Sequence, residues 1–293
     1  MLTKEQFLEK IQKGLHFLDG ATGSNLQRAG MRKGCCTEQW VLENPDILVQ
    51  LQRSYASAGS QILYAPTFQA QPIALARVGL EQQTEAVNAQ LVALSRSAAP
   101  DCLIAGDLTT LAAFCESWNP DNIDLLIDNY RRQIRGLIDG GADLLVAETL
   151  MYPLEAEAIL AAAELEGAGA VMYSFVMTGD GSLFSGQDAL PVLKGLEEAG
   201  AAAVGFNCVA ADMMTPYLVR KLAKEIRIPI LCKPNAGSPV IDDAGIPEYR
   251  MDAEEFSQIL LDCRRSGARL LGGCCGTTPA HIAAATALLK QSF

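Results

Sequence analysis

Short apolar runs alternate with stretches of helical spacing along the whole chain. The runs at Leu15–Leu18, Gln61–Ala65, Cys102–Ala105, Asp143–Ala147, Ala170–Phe175, Ala202–Phe206, Pro229–Cys232 and Arg269–Leu271 read as β-strands. They are rich in Val, Ile, Leu and Ala and do not alternate apolar with polar, so both faces are expected to be buried. The clearest helix is Asn122–Asp139, where Ile123, Leu126, Ile127, Tyr130, Ile134, Leu137 and Ile138 recur at helical steps. That stripe would cover a sheet and leave Asp124, Asp128, Arg131 and Arg135 in water. Residues 1–14 predict an amphipathic helix ahead of the first strand.

Strands separated by helices predict a parallel sheet, because parallel neighbours need a crossover. The expected fold class is α/β, a (β/α)8 barrel forming a single domain over 1–293. An open doubly wound sheet is the alternative, but no Gly-x-Gly-x-x-Gly follows the first strand. The connections Gly20–Asn44, Thr109–Asp121 and Asn235–Asp252 are long. All three leave the C-terminal ends of strands, the face on which such barrels carry their active sites.

Composition narrows the partners. The chain has 293 residues, 49% hydrophobic and 19% charged, which suits a soluble protein with a large core. A formal charge of -11 without a basic cluster makes nucleic acid and anionic membranes poor partners. No apolar stretch is long enough to span a bilayer, and Met1–Lys10 lacks the apolar core of a secretory signal. Nine cysteines in that context point to a reducing, cytoplasmic location.

Several strands end in a polar or metal-competent residue: Asp19, Thr67, Asp107, Glu148, Asn207 with Cys208, Asn235, and Cys274 with Cys275. A barrel would gather them on one rim. Taken singly, Asp19 and Asp107 are read as turn residues. Cys208, Cys274 and Cys275 together form a soft donor set, for which zinc is the first candidate. Adjacent side chains of a regular strand point to opposite faces. Cys274 and Cys275 can therefore share an ion only if the backbone departs from strand geometry, which Gly272, Gly273 and Gly276 permit. A vicinal disulfide and inert packing are the competing readings. Cys102, Cys115, Cys232 and Cys263 are expected to be inert thiols, and Cys35-Cys36 an incidental loop pair. His16 reads as a core or rim residue and His281 as part of the first turn of the last helix, so histidine-triad chemistry has little support.

Three protein ligands favour a zinc with an open position. Three thiolates around zinc give a centre poor at generating hydroxide. It is well suited to binding one more thiol as its thiolate. The reaction this suggests is attack of a substrate thiolate on a methyl group held in line with it.

The segments Leu18-Asp19-Gly20-Ala21-Thr22-Gly23, Pro66-Thr67-Phe68, Ala147-Glu148-Thr149, Gly205-Phe206-Asn207-Cys208, Pro234-Asn235-Ala236-Gly237 and Gly272-Gly273-Cys274-Cys275-Gly276-Thr277-Thr278-Pro279 resemble the motif series of the zinc-dependent homocysteine S-methyltransferases. The resemblance runs in order from about Leu15 to the last helix. It implies a TIM barrel with zinc (Zn2+) on Cys208, Cys274 and Cys275, and Asn235 in the fourth zinc position when no thiol is bound. It further implies that Glu148 and Asp19 hold the substrate ammonium, with Asn207 among the substrate contacts. Backbone N–H groups of Gly20, Ala21, Thr22 and Gly23 and of Thr67 would hold the carboxylate. The implied partners are homocysteine and a methyl donor: a separate corrinoid protein, S-methylmethionine or betaine. Cys274-Cys275-Gly276-Thr277 looks closer to the homocysteine-binding module of cobalamin-dependent methionine synthase than to the S-methylmethionine enzymes. Two features depart from the pattern: Gly106-Asp107-Leu108-Thr109-Thr110 lacks the usual Gly-Pro, and Cys35-Cys36 has no counterpart. The alternatives are methyl transfer to another small thiol and a non-catalytic zinc or thiol-redox protein.

Overall fold

Each expected strand forms, and all of them join one parallel sheet. The computed structural model describes residues 1–12, 14–112, 123–241 and 247–292. Its strands are β1 (His16–Phe17), β2 (Ile62–Tyr64), β3 (Leu103–Thr109), β4 (Leu144–Leu150), β5 (Val171–Phe175), β6 (Ala203–Ala210), β7 (Ile230–Asn235), β8 (Val240–Ile241), β9 (Pro247–Glu248) and β10 (Leu270–Leu271). The sheet order is β1-β10-β7-β6-β5-β4-β3-β2, every pairing parallel. A parallel bridge from Leu18 to Ile62 then joins the two ends of that series, giving the (β/α)8 barrel. β8 and β9 form a separate antiparallel ribbon beyond β7. The expected helix is seen over Ile123–Asp139. Asn122, Cys115, most of the Thr109–Asp121 loop and part of Asn235–Asp252 lie outside the described residues.

Two apolar layers hold the barrel. Ile62, Ala105, Leu144, Val146, Met172, Ala203, Leu231 and Leu270 fill its interior. Phe7 and Ile11 of the N-terminal helix Lys4–Gln12 join that same cluster, so the helix plugs the end where the strands begin. Leu2 fixes it there, donating to Asp143 O and accepting from Ala170 N. The residues between the inner ones, such as Leu145, Ala147, Val204, Phe206 and Cys232, face the helices instead. The spacing of two along each strand sorts the layers.

β4, β6 and β7 run past the ends expected from sequence, to Leu150, Ala210 and Asn235. The expectation stopped at the first polar residue. The strands continue because their polar residues stay inside the barrel, where they become the floor of a cavity. Close spacing of β6 and β7 leaves no room for a side chain at Gly205, where a Cβ would overlap Leu231 O. Gly205→Ala is expected to cost about 3 kcal/mol or more. Urea unfolding against the parent protein would measure it, and an unchanged midpoint would refute it.

Candidate active site

Two bulges shape the rim of the barrel. Pairing of β4 with β5 slips between Ala147 and Leu150, and pairing of β6 with β7 slips between Asn207 and Ala210. Each bulge contains a residue of positive φ, Thr149 and Cys208, both at 59°. This conformation is costly for a side chain with a Cβ, and more so for a branched one such as Thr. Asn207 secures both bulges. Its Oδ1 accepts from Thr149 N at 2.8 Å and Ser174 Oγ at 2.9 Å. Its Nδ2 donates to Thr149 Oγ1 at 2.8 Å and to Glu148 Oε2 at 3.3 Å. An extra residue in a strand re-aims the side chain that follows. Here it lets Asn207 and its neighbour Cys208 both reach the rim.

The second strand end is a glycine-framed loop after β10. Gly273 N donates to Asp19 O, Cys274 N to Pro234 O, and Ala236 N to Cys275 O. Thr277 Oγ1 accepts from Ala21 N at 3.0 Å and donates to Cys274 O at 2.7 Å. Gly276 has φ +80°, and a Cβ there would overlap the Tyr249 side chain. The loop is thus tied to the ends of β1 and β7 at once. It turns both cysteines toward Cys208: the three Sγ atoms lie within 4.8 Å of one another, with Cys208 and Cys275 at 3.7 Å. Hydrogen bonds from Cys208 and Cys274 hold the Cys275 thiol well below the usual thiol range. Cys208 is pushed up by its hydrogen bonds to Cys274 and Cys275. Three soft donors on one side of a cavity can hold a single metal ion.

That cavity measures about 220 Å3 and is lined by Asp19, Gly20–Ser24, Tyr64, Asp107, Glu148 and Lys233 as well as the three cysteines. Since a water occupies about 30 Å3, there is room for a small amino acid. Sequence reasoning missed Lys233. It lies two residues beyond the inward-facing Leu231 and is 3% exposed at its side chain. Its Nζ donates to Asp19 Oδ1 at 2.9 Å, stands 3.9 Å from Glu148 Oε2, and sits 3.5 Å from the centroid of the Tyr64 ring. Burial opposes the charge on Lys233, but Asp19 and Glu148 outweigh it and raise its pKa. Burial pushes Glu148 up to about 8 against the pull of Lys233, with Cys274 adding to the rise. The period of two along β7 was the signal that could have revealed Lys233.

The other expected residues are placed as follows. Gly20, Ala21, Thr22 and Gly23 line the cavity, Gly20 because a Cβ would lie 2.6 Å from Tyr55 Oη. The Ala21 amide already donates to Thr277 Oγ1, while the first N–H groups of the helix Gly23–Arg28 have no acceptor within it. Thr67 differs from the expectation. Its N–H donates to Ala65 O, and its Oγ1 links to the backbone of Asp107. Thr67 is fully buried behind the wall, where it supports β3 instead of offering an amide to a carboxylate. Asp19 is also engaged, by Lys233 and by Tyr64 N at 2.8 Å. Asn235 ends β7 with its Oδ1 buried and, among the described residues, without a hydrogen-bond partner.

The remaining expectations fall outside this site. Cys232 and Cys263 are buried beside each other, and Cys102 donates to Ser60 O. Cys35 is exposed, and Cys36 donates to Glu38. His281 holds the start of the last helix through Thr278 Oγ1 and Met251 O. Among the described residues no helix is long and apolar enough to cross a membrane.

Residues 16–289 match the sequence profile of the homocysteine S-methyltransferase family. The chain belongs to that family. It is 28% identical to the homocysteine S-methyltransferase of Escherichia coli over 91% of this chain and 93% of that one. It is also 28% identical to the methionine synthase of Mycobacterium tuberculosis, spanning 93% of this chain but 25% of that longer protein. Among solved structures it resembles the E. coli homocysteine methyltransferase MmuM in its metallated form. The TM-score is 0.82 at 27% identity, covering 96% of this chain and 99% of that one. The apo form of MmuM gives 0.75 with the same coverage. A likeness to the carboxyl transferase domain of Rhizobium etli pyruvate carboxylase, TM-score 0.57 at 16% identity, reflects the barrel fold alone.

Proposed function

We propose that this methyltransferase, acting as one domain over 1–293, moves a methyl group to the thiolate of homocysteine and releases methionine. Zinc held by Cys208, Cys274 and Cys275 is the cofactor. The observation that carries the reading is the meeting of three thiols from two distant segments on the wall of a cavity also lined with carboxylates and backbone amides. The donor set fits the ion. Two sulfurs each about 2.3 Å from a tetrahedral zinc stand about 3.8 Å apart, and Cys208 and Cys275 are 3.7 Å apart. The orphaned Oδ1 of Asn235 fits a fourth ligand for the thiol-free state.

Zinc bound there would supply the charge that keeps a visiting thiol deprotonated and nucleophilic. The chain's own groups do the rest. Glu148 takes the substrate ammonium, and the amides of Gly20, Thr22 and Gly23 take its carboxylate. Asn207 fixes Glu148, so the amino acid is held at one end while its sulfur is directed at the cysteines. Transfer makes a sulfur–carbon bond, and the donor leaves with the electron pair of the bond that breaks. The donor is a corrinoid-borne methyl or a small onium such as S-methylmethionine or betaine, and the enzyme works in the cytoplasm.

Incubation of the zinc protein with homocysteine and each donor in turn tests the reading. Methionine is expected with one of them, and its absence with every donor, corrinoid protein included, would sink it. Glu148→Ala is expected to raise the KM for homocysteine by roughly 10- to 100-fold, the loss of one charge-assisted contact. An unchanged KM would remove Glu148 from substrate binding.

A further inference from the structure

Asp19, Asp107, Glu148 and Lys233 are the carboxylates and the ammonium among the residues lining the cavity, so three acids face one base. The base is already placed. Lys233 Nζ is bonded to Asp19, whose other oxygen accepts from Tyr64 N. Asp107 has no such partner: it is 4% exposed, and its Oδ1 makes no hydrogen bond among the described residues. A buried carboxylate oxygen without a donor is costly, so such an atom marks a missing partner.

Asp107 is also rigidly mounted. Its N–H donates to Thr67 Oγ1, and its carbonyl accepts from Thr67 Oγ1 at 2.9 Å and Gln133 Nε2 at 3.1 Å. It sits on β3 opposite Val146, two residues before Glu148 on the adjacent strand. Burial and the neighbouring Glu148 both push Asp107 above the usual carboxylate range. Two acids side by side on a cavity wall are relieved by a cation placed between them.

Resting on the homocysteine reading, we propose that the substrate ammonium is received by Asp107 together with Glu148, and that Lys233 directs it there by occupying Asp19. Asp107 is then a substrate-binding and specificity-determining residue. Asp19 holds Lys233 in position, and its place beside the ammonium expected from sequence is taken by Asp107. The pair selects thiols that carry an α-ammonium group.

The test compares homocysteine with 4-mercaptobutanoate, the same thiol without its amino group, by calorimetric titration of the zinc-loaded protein. Asp107→Asn is expected to weaken homocysteine by roughly 20- to 100-fold. The same substitution should leave 4-mercaptobutanoate as tight as before or tighter. Steady-state kinetics should show the loss in KM more than in kcat. Asp19→Asn is expected to weaken both ligands by a similar factor, because its effect passes through Lys233. The proposal is overturned if Asp107→Asn affects both ligands equally or neither, or if Asp19→Asn proves the selective change. Should Asp107→Asn fail to fold or to retain zinc, Asp107→Ser carries the same comparison. If the parent protein does not bind homocysteine at all, the functional reading itself has failed, a separate outcome.

Discussion

Cys208→Ala is expected to release the metal and to lower methionine formation by roughly 1000-fold or more. Ligation by three thiolates depends on all three being present. Two sulfurs and a methyl group leave the ion under-coordinated and the local charge altered. The variant should nevertheless fold. Cys208 lies at the rim, beyond the apolar layers, and occupies a left-handed backbone position that Ala accepts no worse than Cys. Elemental analysis of the purified variant, with circular dichroism as the check on folding, measures the first effect. Methionine formation from homocysteine measures the second. A folded variant that has lost its zinc yet turns over at the parent rate would refute a metal-assisted reaction. Retention of a full equivalent of zinc would refute Cys208 as a ligand.

The second large effect is on stability. Lys233→Met keeps the length and apolar stem of the side chain but deletes the ammonium. Asp19, 1% exposed, would then be left as a buried carboxylate with only Tyr64 N as donor. Breaking a buried pair by removing one partner typically costs about 3–5 kcal/mol, because the remaining charge is stranded. The Tyr64 ring also loses the cation lying over it. For a chain of this size the fall in Tm should be roughly 6–15 °C. Adding Asp19→Asn to the same chain should recover much of the loss, since a neutral amide has no stranded charge. Differential scanning calorimetry of the two variants decides the matter. Equal stability of Lys233→Met and the parent would show that the pair does not matter to the fold.

Part of this site is legible in the amino-acid order. The Cys274-Cys275 doublet needed a backbone departure to face one ion, and the glycines around it announced one. It occurs, with Gly276 at φ +80°. Cys208 needed a comparable device, but no glycine marks it. A bulge and a left-handed φ on an ordinary residue turn it, held by hydrogen bonds that Asn207 Oδ1 accepts from Ser174 on the adjacent β5 and from Thr149 on β4 beyond it. Nothing local to Asn207-Cys208 reports those bonds. Thr67 carried the right motif and yet gives its amide to Ala65, because the turn after β2 closes on itself.

What the amino-acid order determined by itself was the number and sequence of the eight barrel strands, their parallel sense, and the family to which the cysteines, Glu148 and Asn235 belong. These follow from period, turn residues and motifs, all of them local. Only the tertiary structure decided how the charges inside the ring are paired. Lys233 carries no local signal of a role, and Asp107, taken singly, reads as a turn residue. Closure of the barrel puts both in one cavity with Asp19 and Glu148. Which acid then takes the lysine and which is left open is set by the register of strands far apart in the chain, where burial makes every unpartnered charge costly.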